Sequence, residues 1–335
     1  MNVSAPGKII IIGEHAVVYG KPAIIAAVNK RCNVAIKKAK TITVSSPLIK
    51  AVLNFSAPEA IERSEKADAL WKKCAEAKDF SALFAATKNN GDALKAGIGK
   101  ILREFRIDGG ADIKIDSDIP IGYGMGSSAA LAVSLTKAIT SLYGKNVALE
   151  ELNAVAYKLE QYSHGTPSGG DNTASCFGGV MRYVKEPKTM ERLDLGKLEN
   201  FILIYCAPPM KTTGELVQSV RNLDAAFRAE RVDALGLLAE RMLGALRKRD
   251  HAEIKHIINE AQKNLQELGV STPEIDKVCK RVEKTGGAAK LCGAGGGGVV
   301  MCYHEDAAKL EAAVRAGGYE PQHVQLGAEG VMIDS

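Results

Sequence analysis

Pro120-Ile-Gly-Tyr-Gly-Met-Gly-Ser-Ser-Ala-Ala130 is the most informative segment of this 335-residue chain. Its glycines at 122, 124 and 126 let the backbone turn tightly and approach a ligand closely. Upstream, Ala111, Ile113 and Ile115 alternate as a strand; downstream, Leu131, Leu135, Ile139 and Leu142 recur at helical spacing. A helix opening near Ser127 would present unpaired N–H groups and the positive end of its dipole, which suits an anion such as phosphate. The plainer alternative is a serine N-cap behind a flexible loop, but three alternating glycines before Ser-Ser-Ala-Ala exceed what a cap requires. Neither common phosphate loop fits. No Gly-Lys pair is followed by Ser or Thr, as a Walker A loop demands, and 122–126 reads G-x-G-x-G where a dinucleotide fold needs G-x-G-x-x-G.

Working outward, about 150 residues per domain gives two domains or one large one. The chain has 46% hydrophobic and 25% charged residues, ordinary for a globular protein, and a formal charge of +5. Its basic residues are scattered, the longest run being Arg247-Lys248-Arg249, so no nucleic-acid partner is expected. Seven cysteines lack C-x-x-C spacing, which argues against structural zinc and thioredoxin chemistry and for reduced, buried thiols. No apolar run approaches the roughly 20 residues of a membrane span, and MNVSAPGK has no signal-peptide character. The expectation is a cytoplasmic protein with no membrane partner.

Strands are expected at Ile9–Ile12, Pro22–Val28 and Cys32–Ile36, and helices over 57–106 with a break near Asn89-Asn90-Gly91. Further helices are expected at 128–143 and 149–163, then a Gly/Pro/Ser loop at 165–170 and a strand at 177–184. The polar segment 185–200 reads as a linker, ahead of a strand at 201–206, a helical region over 214–285 and a return to strands. Strands and helices come in runs, the mark of an α+β chain. The domains expected are 1–184 and 185–335.

Three further segments carry chemistry. In Glu160-Gln-Tyr-Ser-His-Gly-Thr-Pro-Ser-Gly-Gly-Asp-Asn-Thr173, Glu160 near a helix end and Asp171 in a loop could divide cation binding from hydroxyl activation, unless Asp171-Asn172 simply makes an Asx-turn. Lys290-Leu-Cys-Gly-Ala-Gly-Gly-Gly-Gly298 is either a bare turn or backbone brought against a ligand or the other loop. In Ala5-Pro-Gly-Lys-Ile-Ile-Ile-Ile-Gly-Glu-His-Ala-Val-Val-Tyr-Gly20, Lys8 is expected just before a buried strand and Glu14-His15 just after it. A lone histidine of this kind is more often structural than catalytic. H-E-x-x-H and G-x-S-x-G are absent, which removes zincin proteases and α/β-hydrolases.

Together the four segments, in this order from residue 4 to about 302, resemble the GHMP kinase superfamily. Gly13–Gly20 and His164–Thr173 are most similar to its mevalonate kinase family. The resemblance implies a ribosomal-protein-S5-like N-terminal domain, a C-terminal α+β domain, and phosphoryl transfer from ATP with Mg²⁺ to an alcohol in the cleft between them. It implies Asp171 and Lys8 as the catalytic pair, and Ser128 and Glu160 as Mg²⁺ ligands. Gly122, Tyr123, Gly124, Met125, Gly126, Ser127 and Ser128, with Ser117, would hold ATP. Glu14, His15, Ser168 and Thr213 would face the acceptor, mevalonate, and a homodimer is compatible with the family. Whether Asp171 removes the hydroxyl proton or orients it stays open. Gly170 departs from the aliphatic residue many relatives carry before the aspartate, so a wider acceptor pocket is expected there. Phosphomevalonate, mevalonate 3-kinase and sugar kinases share the pattern; a non-catalytic sensor on the same fold would lack Asp171, Lys8 or the metal ligands, and all are present.

Overall fold

The computed structural model describes residues 1–47, 49, 51–87 and 89–334, and of Asn90 the backbone alone. Strand β1 (Asn2–Ile12) is almost wholly buried on both faces, including the polar Ser4 and Lys8, so it shows no in–out alternation. It pairs antiparallel with β2 (Ala23–Ala39), which fuses two expected strands; beyond Cys32 the expected in–out alternation holds, with Val34 and Ile36 buried. β3 (Ile42–Ser45) and β4 (Leu53–Phe55) lead to the helices α1 (Ala57–Ala77), α2 (Ser81–Thr87) and α3 (Asn90–Glu104). Ser56 and Glu59 form a capping box at the start of α1, which is why that helix begins where it does. β5 (Gly110–Ser117) then feeds the glycine loop and α4 (Ser127–Leu142), followed by α5 (Leu149–His164), α6 (Gly170–Phe177), β6 (Val180–Val184) and β7 (Thr189–Leu193).

Three expectations fail here. Segment 185–200 is not a plain linker, because β7 pairs with β6 as a hairpin. Asp171 is not in a loop, because Gly169 and Gly170 open the short helix α6. Lys8, moreover, lies inside β1 and not before it.

The remaining elements are β8 (Phe201–Tyr205), α7 (Thr213–Arg221), α8 (Ala225–Lys248), α9 (His251–Glu267), α10 (Pro273–Glu283), β9 (Ala288–Cys292), β10 (Val299–Tyr303), α11 (Ala307–Arg315), β11 (Gln322–His323) and β12 (Met332–Asp334). Helix α11 interrupts the terminal region expected as strands. Among the described residues one sheet runs β12-β1-β2-β5-β3-β4, with β6 also on β2, and a second runs β11-β8-β10-β9. The two sheets meet where Lys290 and Cys292 of β9 donate to the Ile10 carbonyl of β1. All seven cysteines are buried and unpaired, in line with the reduced thiols expected. No helix among the described residues is long and apolar enough to cross a membrane.

Candidate active site

The site forms because β1 is bulged. The register with β2 slips between Pro6 and Lys8, and such bulges re-aim side chains beside functional sites. Gly7 sits in the slip; a Cβ there would lie 2.8 Å from the Met125 carbonyl oxygen, so only glycine lets the strand come this close to the 120–130 loop. The Lys8 amide donates to that same carbonyl at 2.9 Å. The Lys8 ammonium, almost fully buried, donates to the Gly124 carbonyl at 3.0 Å and lies 3.2 Å from Asp171 Oδ1. One lysine thus ties the glycine loop to a carboxylate some 45 residues further along the chain, and the Asx-turn reading of Asp171 falls away.

The loop has the form expected of an anion cradle. Gly126 takes the left-handed conformation (φ 71°) as the N-cap of α4, and no side chain caps the helix amides there. Gly122 faces open space. The second glycine motif closes on the first: a Cβ on Gly124 would meet the Cys292 carbonyl at 3.5 Å, and one on Gly298 the Tyr123 carbonyl at 3.3 Å. The 290–298 segment is therefore brought against the other loop and is more than a turn. Tyr123 also packs on Tyr205, Met125 is buried, Ser127 opens α4, and the Ser117 hydroxyl accepts from the Ile119 amide at 3.2 Å in the turn before the loop.

In the first turn of α4, the Ser128 hydroxyl donates to Glu160 Oε2 at 3.1 Å, and Ser128 Oγ lies 3.1 Å from His164 Nε2. Burial pushes the Glu160 carboxyl up; His164 draws it back and Asp171 pushes it further. A buried carboxylate with one hydroxyl donor and His164 3.8 Å away, near a second carboxylate, is a setting that a cation relieves. Among the described residues no group of three or more His, Cys, Asp or Glu side chains could cage a metal. The oxygen donors present fit Mg²⁺, which takes one or two carboxylates and fills its other positions with phosphate and water.

Glu14 and His15, expected to face the acceptor, are both buried. His15 stands at φ 59°, left-handed for a non-glycine residue, and its Nε2 lies 2.9 Å from the Ala294 carbonyl. A carbonyl can only accept, so that nitrogen carries the hydrogen; burial lowers the His15 pKa, so the ring is neutral and Nδ1, which has no partner among the described residues, is an acceptor. Glu14 pairs with Lys290, both side chains fully buried, and its Oε2 has no partner among the described residues. Burial pushes the Glu14 carboxyl up and Lys290 pulls it back. Lys290 is the residue sequence reading left without a role; a lysine amid the apolar run 288–292 was its only signal.

Ser168 accepts from the Gly170 amide at 3.3 Å. Thr213 is exposed in the first turn of α7, and Leu216 of that helix meets Gly296 of the second glycine motif. Gly170 does not widen a pocket as expected, because a Cβ there would lie 2.7 Å from Ile25 Cδ1; the isoleucine fills the space. A cavity of about 740 Å³ lined by Asp276, Lys280, Arg281 and Ala316 involves none of the four motifs.

A glycine loop at a helix N-terminus, tied by a lysine to a carboxylate, has the form expected of a small-molecule phosphotransferase. Residues 92–179 match the model of the GHMP kinases N terminal domain, and 242–320 that of the GHMP kinases C terminal region. The chain is 31% identical over 309 residues to a mevalonate kinase of Archaeoglobus fulgidus, covering 90% of this chain and 91% of the relative. A crystal structure of mevalonate kinase superposes with a TM-score of 0.80 at 23% identity, covering 98% of this chain and 99% of that one. The L. major mevalonate kinase in complex with R-mevalonate gives 0.74 at 21%, covering 98% and 97%. The chain belongs to the GHMP kinases, in their mevalonate kinase family, and is an ATP-dependent kinase acting on an alcohol.

Proposed function

We propose that this protein transfers the γ-phosphoryl group of ATP to the primary hydroxyl of mevalonate, giving 5-phosphomevalonate for isoprenoid precursor synthesis. The observation that carries the reading is Lys8, in contact at once with the Gly124 carbonyl of the loop and with Asp171. The acceptor follows from the mevalonate kinases that this chain resembles over nearly its full length.

The transition state of phosphoryl transfer is loose, so positioning and charge neutralisation do most of the work. The amides of residues 122–128 cradle the ATP phosphates, with Ser117 a further nucleotide contact, and Lys8 faces the transferred group. Asp171 receives the hydrogen bond of the acceptor hydroxyl and takes its proton as the new O–P bond forms and the bond to ADP breaks. Ser128 and Glu160 would hold Mg²⁺, which would supply charge neutralisation at the phosphates. His15 Nδ1 accepts from an acceptor hydroxyl, and Glu14, Ser168 and Thr213 complete the acceptor side; Glu14, wholly buried, acts through its neighbours. The division at 184/185 stays a proposal, with β7 and β12 adding to the N-terminal sheet from beyond it. The same reading makes the protein cytoplasmic, with a small molecule as its partner, neither nucleic acid nor membrane, and is compatible with a homodimer.

If Glu160 holds the metal, Glu160→Gln raises the Mg²⁺ concentration needed for half-maximal rate, and excess Mg²⁺ restores part of the rate. An unchanged titration would leave Glu160 a helix-end carboxylate with no metal role. For the acceptor, sites built on hydrogen bonds reject analogues lacking the right groups strongly. Mevalonate is therefore expected to show a kcat/KM at least about 10²-fold above galactose or homoserine, and His15→Ala to raise the KM for mevalonate more than that for ATP. Phosphomevalonate emerging as the best acceptor would overturn the assignment while leaving the superfamily intact.

A further inference from the structure

Five residues, 165–169, join α5, which carries Glu160 and His164, to α6, which carries Asp171. Pro167 has no N–H, and the segment makes few hydrogen bonds of its own, such as Thr166 N–H to the His164 carbonyl at 2.7 Å. Its carbonyls are held instead by three aromatic donors from three other elements. Trp71 Nε1 of α1 donates to Gly165 at 2.8 Å, Tyr157 of α5 to Pro167 at 3.3 Å, and Tyr183 of β6 to Ser168 at 2.7 Å. The Phe80 ring backs the turn: it stands 6.4 Å from Trp71 between centroids, and a Cβ on Gly165 would lie 2.7 Å from Phe80 Cγ.

We propose that Trp71, Tyr157 and Tyr183 are positioning residues for the phosphoryl transfer, holding the 165–169 segment so that Ser168 and Asp171 stand where the acceptor hydroxyl must meet them. This rests on the assignment of Asp171 to the acceptor proton. The three donors are rigid rings anchored outside the segment, so they fix its carbonyls at little entropic cost. Burial raises the pKa of both tyrosines, so each keeps its O–H at neutral pH. They act on the acceptor half of the reaction, since the ATP phosphates are assigned to residues 122–128 with Ser117, outside the segment that these three donors hold.

The test compares Trp71→Phe and Tyr183→Phe, which keep a ring and delete the donor, with Tyr143→Phe. Tyr143 donates a similar bond, to Gly110 at 2.7 Å, at the far end of α4. Each loop variant should lower kcat/KM for the acceptor by about 2- to 10-fold, the scale of one neutral hydrogen bond, with the KM for ATP unchanged. Tyr143→Phe should change neither constant, whatever it does to the melting temperature. Trp71 is the single tryptophan of the chain, so acceptor binding without nucleotide should shift its emission in the wild type and less in Tyr183→Phe. Acceptor and ATP constants moving together, or loop variants behaving like Tyr143→Phe, would overturn the proposal. Wild-type protein that fails to phosphorylate mevalonate would instead overturn the acceptor assignment, and the same comparison would then be made on whichever alcohol it does phosphorylate.

Discussion

Asp171→Asn lowers kcat for mevalonate phosphorylation by at least about 10²-fold, the low end for loss of general acid–base catalysis. Steady-state rates at saturating ATP measure this, and nucleotide binding is measured separately by titration. The nucleotide affinity should change little, because the loop is cradled by Lys8 through the Gly124 carbonyl and the Met125 contact, neither of which involves the Asp171 carboxylate. Asparagine preserves the size of the side chain in the first turn of α6, so lost activity would not reflect a lost helix. Turnover near the wild-type value would remove Asp171 from the mechanism.

Lys290→Met destabilises the protein by about 3–5 kcal/mol, the cost of leaving one partner of a buried ion pair without the other. The lysine also donates to the Leu291 carbonyl at 2.9 Å and the Ile10 carbonyl at 3.3 Å, so its loss loosens the join between the two sheets. In the variant Glu14 is a buried carboxyl without its paired cation, and its folded-state pKa rises further above its ordinary 4.5. A raised carboxyl pKa penalises the folded state as pH rises above the unfolded value. The deficit in the urea midpoint should therefore be larger at pH 8 than at pH 5. Glu14→Gln/Lys290→Met, with no buried charge, should be more stable at pH 8 than Lys290→Met. A single variant as stable as the wild type at both pH values would show that the pair contributes nothing to the fold.

Much of this site is legible in the sequence because its chemistry is local. The loop from Gly122 to Ser128 needs glycines to bend and a helix to follow, and both are visible within twenty residues. The elements that escaped reading are those whose signal is short or distant. Helix α6 has only eight residues and opens on Gly169-Gly170, which by composition is a turn. β7 is exposed along Thr189–Arg192, so no alternation betrays it, and its partner β6 alone makes it a strand. Gly170 suggested a void because the sequence does not show that Ile25, from β2, fills the space. Lys290 and Glu14 lie 276 positions apart, and Trp71 and Gly165 lie 94 apart; no local pattern could join them.

The most direct test of the central claim is the identity of the product formed from mevalonate and MgATP, read by phosphorus NMR coupled to carbon assignment. Phosphate on the primary oxygen, with one ADP released per ester formed, is the expected result. Phosphate on the tertiary oxygen, or ADP release with phosphomevalonate or a sugar but not with mevalonate, would contradict it.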